Sequence, residues 1–422
     1  MRILILNTSE NIGGAAVAAN RLMLVLQKAG IDASMLVRDK GSENPNVISI
    51  NSSQINRIAN TFRFIWEHFI IFLCSRLNRE NIFKISIANT GIDVSRHPSV
   101  RDADIIHLHW INQGFLSLND IERLSGLGKP VVWTMHDMWP CTAICHHARE
   151  CKKYQECCRS CFFLHSSNKN DLSSIIFLKK KKIIEKADIT FVTCSRWLSE
   201  KAKTSIILKN KQILTIPNPI NISVFHPGNV FAEREKLNLP LGKKLILFGA
   251  VNITDKRKGI DYLIKAMKHI QRETDVELVI FGQTKQNMEP LFPFPVHYAG
   301  YIKNEQDMSS LYNAVDIYVT SSLEENLPNT IMESMACGTP CVGFNIGGIP
   351  DMIDHKQNGY VAEYKNPDDL AAGIQWLLRE SDYEEVSKNA RKKVEGNYRE
   401  DIVAGKYIAL YENLLMKNGK IF

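Results

Sequence analysis

Long apolar runs are missing from this chain of 422 residues. No window holds the roughly eighteen consecutive apolar residues that a membrane-spanning helix needs, which sets a transmembrane reading aside. The start, Met1-Arg2-Ile3-Leu4-Ile5-Leu6-Asn7, has only a short apolar run bounded by polar residues and lacks the cleavage pattern of a signal peptide. It is expected to be the first buried strand of a cytoplasmic enzyme. A strong charge excess is missing too: the net charge of +7 favours acidic surfaces or a diphosphate ligand without implying nucleic acid. Internal repeats are absent, and the one low-complexity tract, Lys179–Lys182, reads as a solvated helix face. The length and the 45% hydrophobic fraction suit two globular domains of about 200 residues each.

Cysteine is present but concentrated. Six of the ten fall between Cys141 and Cys161. Cys145, Cys151, Cys158 and Cys161 end in a Cys-x-x-Cys, with His146 and Cys157 as spare ligands. In a reducing cytoplasm this pattern favours thiolate metal binding over disulfides. A structural zinc that clips a loop is the expectation, with free thiols, disulfides or an iron–sulfur cluster as alternatives.

Apolar strands alternate with helical periodicity, which predicts parallel α/β layers. Strands are expected at 2–7, 33–37, 105–108, 131–134 and 189–193, with Gly13-Gly14 opening a helix after the first. The stretch 216–228 holds three prolines and breaks the series. A second series follows at 244–248, 277–281, 297–298, 316–320 and 341–344. Between Ile55 and Leu77, Phe62, Phe64, Trp66, Phe69 and aliphatic residues are interleaved with Arg57, Arg63 and Arg76, and Arg79 follows. That mixture suits a helix lying in a membrane interface, or a core helix of the first domain.

The segment Val315–Ser322 reads as a strand that runs into Glu325-Asn326-Leu327-Pro328-Asn329-Thr330-Ile331-Met332-Glu333 and then Ser334-Met335-Ala336-Cys337-Gly338-Thr339-Pro340. In a parallel sheet the carboxyl end of a strand and the start of the next helix form a ligand crevice, where free backbone N–H groups suit phosphate. Two carboxylates beside such a turn suit a sugar nucleotide, whose hydroxyls they can accept.

This segment resembles the donor-site signature of the retaining, GT-B-fold glycosyltransferases of family 4, in the branch that builds bacterial exopolysaccharide, capsule or O-antigen. The likeness continues through Cys341–Asp351 and Asn358–Val361. It implies two Rossmann-like domains facing across a cleft. The expected boundaries are 1–222 for an acceptor domain with a Cys-rich insert at about 141–165, and 223–398 for a donor domain. The final stretch 399–422 is expected to form a helix that crosses back to the first domain.

The resemblance also implies roles. Glu333 would accept ribose hydroxyls, and Glu325 would contact the donor sugar near the reacting carbon. Backbone N–H groups around Leu327, Pro328, Asn329 and Thr330 would serve the diphosphate. Family members usually carry an Arg after the glycine in Phe248-Gly249-Ala250 and a Lys before the next glycine; Ala250 replaces the Arg, Lys258 keeps the Lys, and Arg257 or Lys256 would supply the missing charge. Gly13 and Gly14 would let backbone approach the donor diphosphate and acceptor. His136 would stand near the donor sugar, and His109 is the acceptor-side candidate.

The expected reaction is transfer from a UDP-, GDP- or ADP-sugar to a glycan or polyprenyl-diphosphate acceptor, with no catalytic divalent metal and with peripheral contact at the inner membrane face. Retention by same-face attack and by a covalent intermediate are both compatible. A nucleotide-sugar epimerase of similar fold, or a noncatalytic zinc or nucleic-acid module, are the alternatives.

Overall fold

The computed structural model describes residues 1–270, 275–283 and 287–419. The parts of the expected stretches 223–398 and 399–422 that fall at 271–274, 284–286 and 420–422 lie outside the described residues. Contacts divide the chain into two units, Met1–Pro219 with the chain from Val403 onward, and Ile220–Ile402.

The first unit contains β1 (Arg2–Ser9), α1 (Gly14–Lys28), β2 (Asp32–Asp39), β3 (Val47–Ser49), α2 (Gln54–Cys74), β4 (Ile105–Leu108), β5 (Val131–Met135), α3 (Leu172–Lys186), β6 (Ile189–Thr193) and β7 (Ile213–Thr215). The strands lie in the order β3-β2-β1-β4-β5-β6-β7, all parallel. Parallel strands are covered on both faces, so they need unbroken apolar runs. After its first residue β1 is buried throughout. The strand order reverses between β1 and β4, which opens a crevice at their carboxyl ends.

The second unit contains β8 (Lys244–Asn252), β9 (Val276–Gln283), β10 (Val296–Gly300), α4 (Glu305–Ala314), β11 (Ile317–Thr320), α5 (Asn329–Ala336), β12 (Cys341–Phe344) and β13 (Gly359–Ala362). Its parallel order is β10-β9-β8-β11-β12-β13, with the reversal between β8 and β11. The last helix, α6 (Glu400–Lys417), buries Val403, Tyr407, Tyr411 and Leu415 in the apolar cluster of β1 and α1, with Ile3, Ile5, Leu22 and Met23.

Two expectations change in the first unit. The core-helix alternative for α2 fails, because its buried residues are only Asn60, Glu67 and Ile71, while Ile55, Ile58, Phe62, Ile65, Trp66, Phe69 and Leu73 are exposed. The solvated reading of Lys179–Lys182 fails at Lys180, which is 1% exposed. Lys180 lies four residues after Ile176 and three after Phe177 along α3, and three and four before Ile183 and Ile184, so it shares their inward face. Its Nζ donates to the carbonyls of Trp139 at 2.8 Å and Thr142 at 2.9 Å, and lies 3.4 Å from the centroid of the Trp139 ring.

Burial pulls the Lys180 pKa down to about 7. A neutral amine still has two N–H groups, one for each carbonyl. Lys180→Met keeps the stem and removes both donors. It should cost about 1–3 kcal/mol for each orphaned carbonyl, read as a lower urea midpoint. An unchanged midpoint would mean that water replaces the amine.

Candidate functional site

At the reversal point of the second unit, three loops meet. The first follows β8 and carries Lys258, the second joins β11 to α5 and carries Glu325, and the third follows β12. Leu323 N donates to Arg257 O at 2.7 Å, and Ser321 Oγ donates to Lys258 O at 3.0 Å. Gly348 N donates to Asn326 O at 2.6 Å. Gly259 (φ +65°) and Gly347 (φ +60°) make this closeness possible: a Cβ there would lie 2.0 Å from Ser321 O and 1.9 Å from Glu325 O. Only glycine combines that backbone angle with that approach.

The closure brings Lys258 Nζ to 2.5 Å from Glu325 Oε1. Glu333, one turn into α5, is 8% exposed and accepts from Tyr312 Oη of α4 at 3.2 Å. Tyr318 Oη donates to Thr330 Oγ1 at 3.0 Å. Burial, together with the Glu333 charge, raises the Tyr312 phenol and keeps it a donor. Pro328 sits at the N-cap of α5, and no side chain caps that end. Cation, carboxylates and uncapped helix start thus share one place, which suits a ligand with both phosphates and hydroxyls.

Arg257 is drawn to its own loop. Its Nη2 lies 2.7 Å from Asp255 Oδ2, and that carboxylate raises the Arg257 pKa while falling itself below the usual carboxylate range. Lys256 is exposed. A separate open groove of about 620 Å³ lies beside Pro227, Gly338, Tyr383, Ser387 and Arg391. It contains none of the strand-end carboxylates or glycine turns described above.

In the first unit, Gly13 caps α1 at φ +91° with open space where a Cβ would go, and no side chain caps that helix. Gly14 begins α1. The ends of β4 and β5 bring three histidines together. His109 Nδ1 and His136 Nε2 share a hydrogen bond of 2.8 Å, and His136 Nδ1 lies 3.7 Å from Cys194 Sγ. Both ring nitrogens of His136 thus face protein partners. His107 bridges Thr134 Oγ1 at 2.7 Å and Tyr411 Oη at 2.7 Å, and Thr134 Oγ1 pairs with Tyr407 Oη at 2.9 Å. Sequence reasoning missed Tyr312 and Tyr318 as partners of the second-unit site; neither carries a motif of its own, since each reaches the site from another element.

The zinc expectation for Cys145, Cys151, Cys158 and Cys161 is not supported. Among the described residues no group of three or more His, Cys, Asp or Glu side chains could hold a metal ion. Cys145, Cys158 and Cys161 serve as small apolar groups instead. Cys145 belongs to the first unit's main apolar cluster, and Cys157, Cys158 and Cys161 pack against it. Burial raises Cys158 to about 12 and raises Cys145 and Cys161 as well, which keeps them protonated. Lys180 anchors the chain just ahead of the loop that zinc was expected to clip, at the Trp139 and Thr142 carbonyls.

The buried histidines set an acid limit. Burial lowers His107 to about 3, His136 to about 4 and His109 well below its ordinary value. The unfolded chain takes up protons near pH 6.5 and the folded chain does not until far lower. Stability is therefore full above about pH 6.5 and is lost as pH falls below it. Urea midpoints should drop steadily from pH 7 to pH 5. A level midpoint would mean that these histidines are protonated in the folded protein.

Comparison with known proteins identifies the family and the fold. Residues 12–224 match the family described as Glycosyltransferase Family 4, and residues 229–393 match Glycosyl transferases group 1. An uncharacterized glycosyltransferase of Methanocaldococcus jannaschii is 24% identical over 367 residues, covering 81% of this chain and 92% of that protein. The N,N'-diacetylbacillosaminyl-diphospho-undecaprenol alpha-1,3-N-acetylgalactosaminyltransferase of Campylobacter jejuni is 28% identical over 218 residues, covering 49% of this chain and 56% of that protein. Several other relatives are likewise matched over less than two thirds of their length. Among solved structures, HepE of Anabaena in complex with UDP-glucose has a TM-score of 0.65 at 13% identity, covering 98% of this chain and 100% of that chain, a likeness of fold. The chain belongs to glycosyltransferase family 4, and its two α/β units have the GT-B fold.

Proposed function

We propose that this glycosyltransferase moves a hexosyl group, with retention, from a nucleotide diphosphate sugar to a glycan or polyprenyl-diphosphate-linked acceptor in bacterial surface polysaccharide synthesis. The observation that carries the reading is the Lys258–Glu325 pair at 2.5 Å, standing at the strand reversal of the second unit beside buried Glu333. In this scheme Glu333 accepts the ribose hydroxyls. Lys258, Arg257 and the amides around Leu327–Thr330 balance the diphosphate, and Glu325 reads hydroxyls of the donor sugar. As the nucleoside diphosphate leaves, negative charge grows on its β-phosphate, and fixed cations and amides that strengthen their hold on it lower the barrier. No catalytic divalent metal is required by these groups.

His136 is assigned to the transfer step and His109 to the acceptor side; Gly13 and Gly14 leave backbone accessible at the start of α1. The name of the Campylobacter jejuni relative includes a diphospho-undecaprenol acceptor, and HepE was solved with UDP-glucose. The first supports a lipid-linked acceptor and the second a UDP-sugar as the first donor to try; the reading assigns the enzyme to the cytoplasm, at the inner face of the membrane. An epimerase would convert the same donor with no acceptor, and family membership favours transfer.

Melting temperatures with UDP-, GDP-, ADP- and CMP-sugars test the donor site. A ligand at a hundred times its dissociation constant adds about 2.7 kcal/mol of stability. One base should stabilise the parent protein and lose that effect in Glu333→Ala. Glu325→Ala should keep the stabilisation and lose transfer. Equal stabilisation of Glu333→Ala and parent would remove the ribose assignment, and no stabilisation by any of the four would remove the donor site.

A further inference from the structure

α2 turns most of its large apolar side chains outward. Its fully buried residues are Asn60, Glu67 and Ile71, with Ile70 packed half-buried on the core, whereas its outward face carries Ile55, Ile58, Phe62, Ile65, Trp66, Phe69 and Leu73 at helical spacing. The rings of Phe62, Trp66 and Phe69 lie against one another, with centroids 6.2 Å and 6.1 Å apart in sequence along the face. Exposed Leu77 and Phe83 extend the patch past the helix end. Scattered apolar residues on a surface are ordinary, but a continuous stripe of this length marks a binding face.

Charge decides what binds there. From residue 44 to residue 79 the only carboxylate is Glu67, and it faces inward. Its Oε1 accepts from Ser86 Oγ at 2.5 Å and from the backbone N–H groups of Ile87 and Ala88 at 2.9 Å each. That anchorage fixes which side of α2 points away from the unit. Arg57, Arg76 and Arg79 are exposed and Arg63 is partly so. A second copy on this face would bring like charges together, which opposes a symmetric pairing. An anionic leaflet offers headgroups for the arginines and an acyl boundary for the aromatic stripe.

We infer that α2 lies in the plane of an anionic lipid surface, with Phe62, Trp66 and Phe69 in the acyl boundary and Arg57, Arg63, Arg76 and Arg79 among the headgroups. With 21 residues the helix is about 31 Å long. Yet no helix among the described residues is long and apolar enough to cross a membrane, so α2 rests on the surface. The inference deepens the transferase reading, because it names the surface on which a lipid-linked acceptor would be met. It does not depend on the donor site.

The full chain is floated with vesicles of phosphatidylcholine alone and of phosphatidylcholine mixed with phosphatidylglycerol. Bound protein should rise at least tenfold with the anionic lipid and fall again with added salt. Phe62→Glu/Phe69→Glu should lose binding at least tenfold, and Arg57→Ala/Arg76→Ala should lose only the preference for anionic lipid. Both variants should keep the parent's melting temperature and its stabilisation by nucleotide sugar, which separates a failure here from a failure of the donor site. Flotation that is absent in the parent, or equal in Phe62→Glu/Phe69→Glu, would overturn the inference. So would a dimer seen by light scattering that the same variant dissolves, since a second copy would then own the face.

Discussion

The contact between Lys258 and Glu325 is the constraint around which the candidate donor site is arranged. It ties the loop after β8 to the loop after β11 across the strand reversal, where the sheet leaves a crevice. The pair needs these two loops to approach within backbone contact, which Gly259 permits, and Gly347 lets the loop after β12 close on Glu325 in the same way. A partly buried ion pair is weak evidence of stability, since desolvation offsets much of its Coulomb energy. Its significance is positional: it fixes a cation and a carboxylate beside the open start of α5 before any ligand arrives.

The surrounding groups follow from that placement. Glu333 lies on the same helix and is held by Tyr312, while Tyr318 holds Thr330 on the preceding turn. Both phenols are buried and their pKa values are raised, so they stay donors and keep acceptors oriented. Preorganised polar groups of this kind need little rearrangement when charge develops on a leaving phosphate. The first unit uses a parallel plan. The ends of its strands β4 and β5 pair His109 with His136, and the network of His107, Thr134, Tyr407 and Tyr411 ties α6 to β4 and β5.

What could be read from the sequence follows physical lines. The long buried strands were legible because parallel strands need unbroken apolar runs, as Ile3-Leu4-Ile5-Leu6 illustrates. The edge strands β3, β7 and β13 were not, because three or four residues at a sheet edge carry too little pattern. Glu325, Glu333 and Lys258 stood out through local motif. Tyr312 and Gly347 gained meaning only from neighbours distant in the chain. Four consecutive lysines do not announce that one of them, Lys180, faces inward, and closely spaced thiols look alike whether they bind metal or fill apolar space. The pattern of α2 fitted either a core or an interface, and only the structure shows that its apolar stripe is exposed.

The central claim, that the loops around Lys258, Glu325 and Glu333 hold the donor, is tested most directly by hydrogen–deuterium exchange with and without UDP-glucose. The account predicts slower exchange in the loop before Gly259, across the start of α5 and at the Gly347-Gly348 turn. Protection absent from these segments and present instead beside Ser387 and Arg391, in the separate groove, would contradict it.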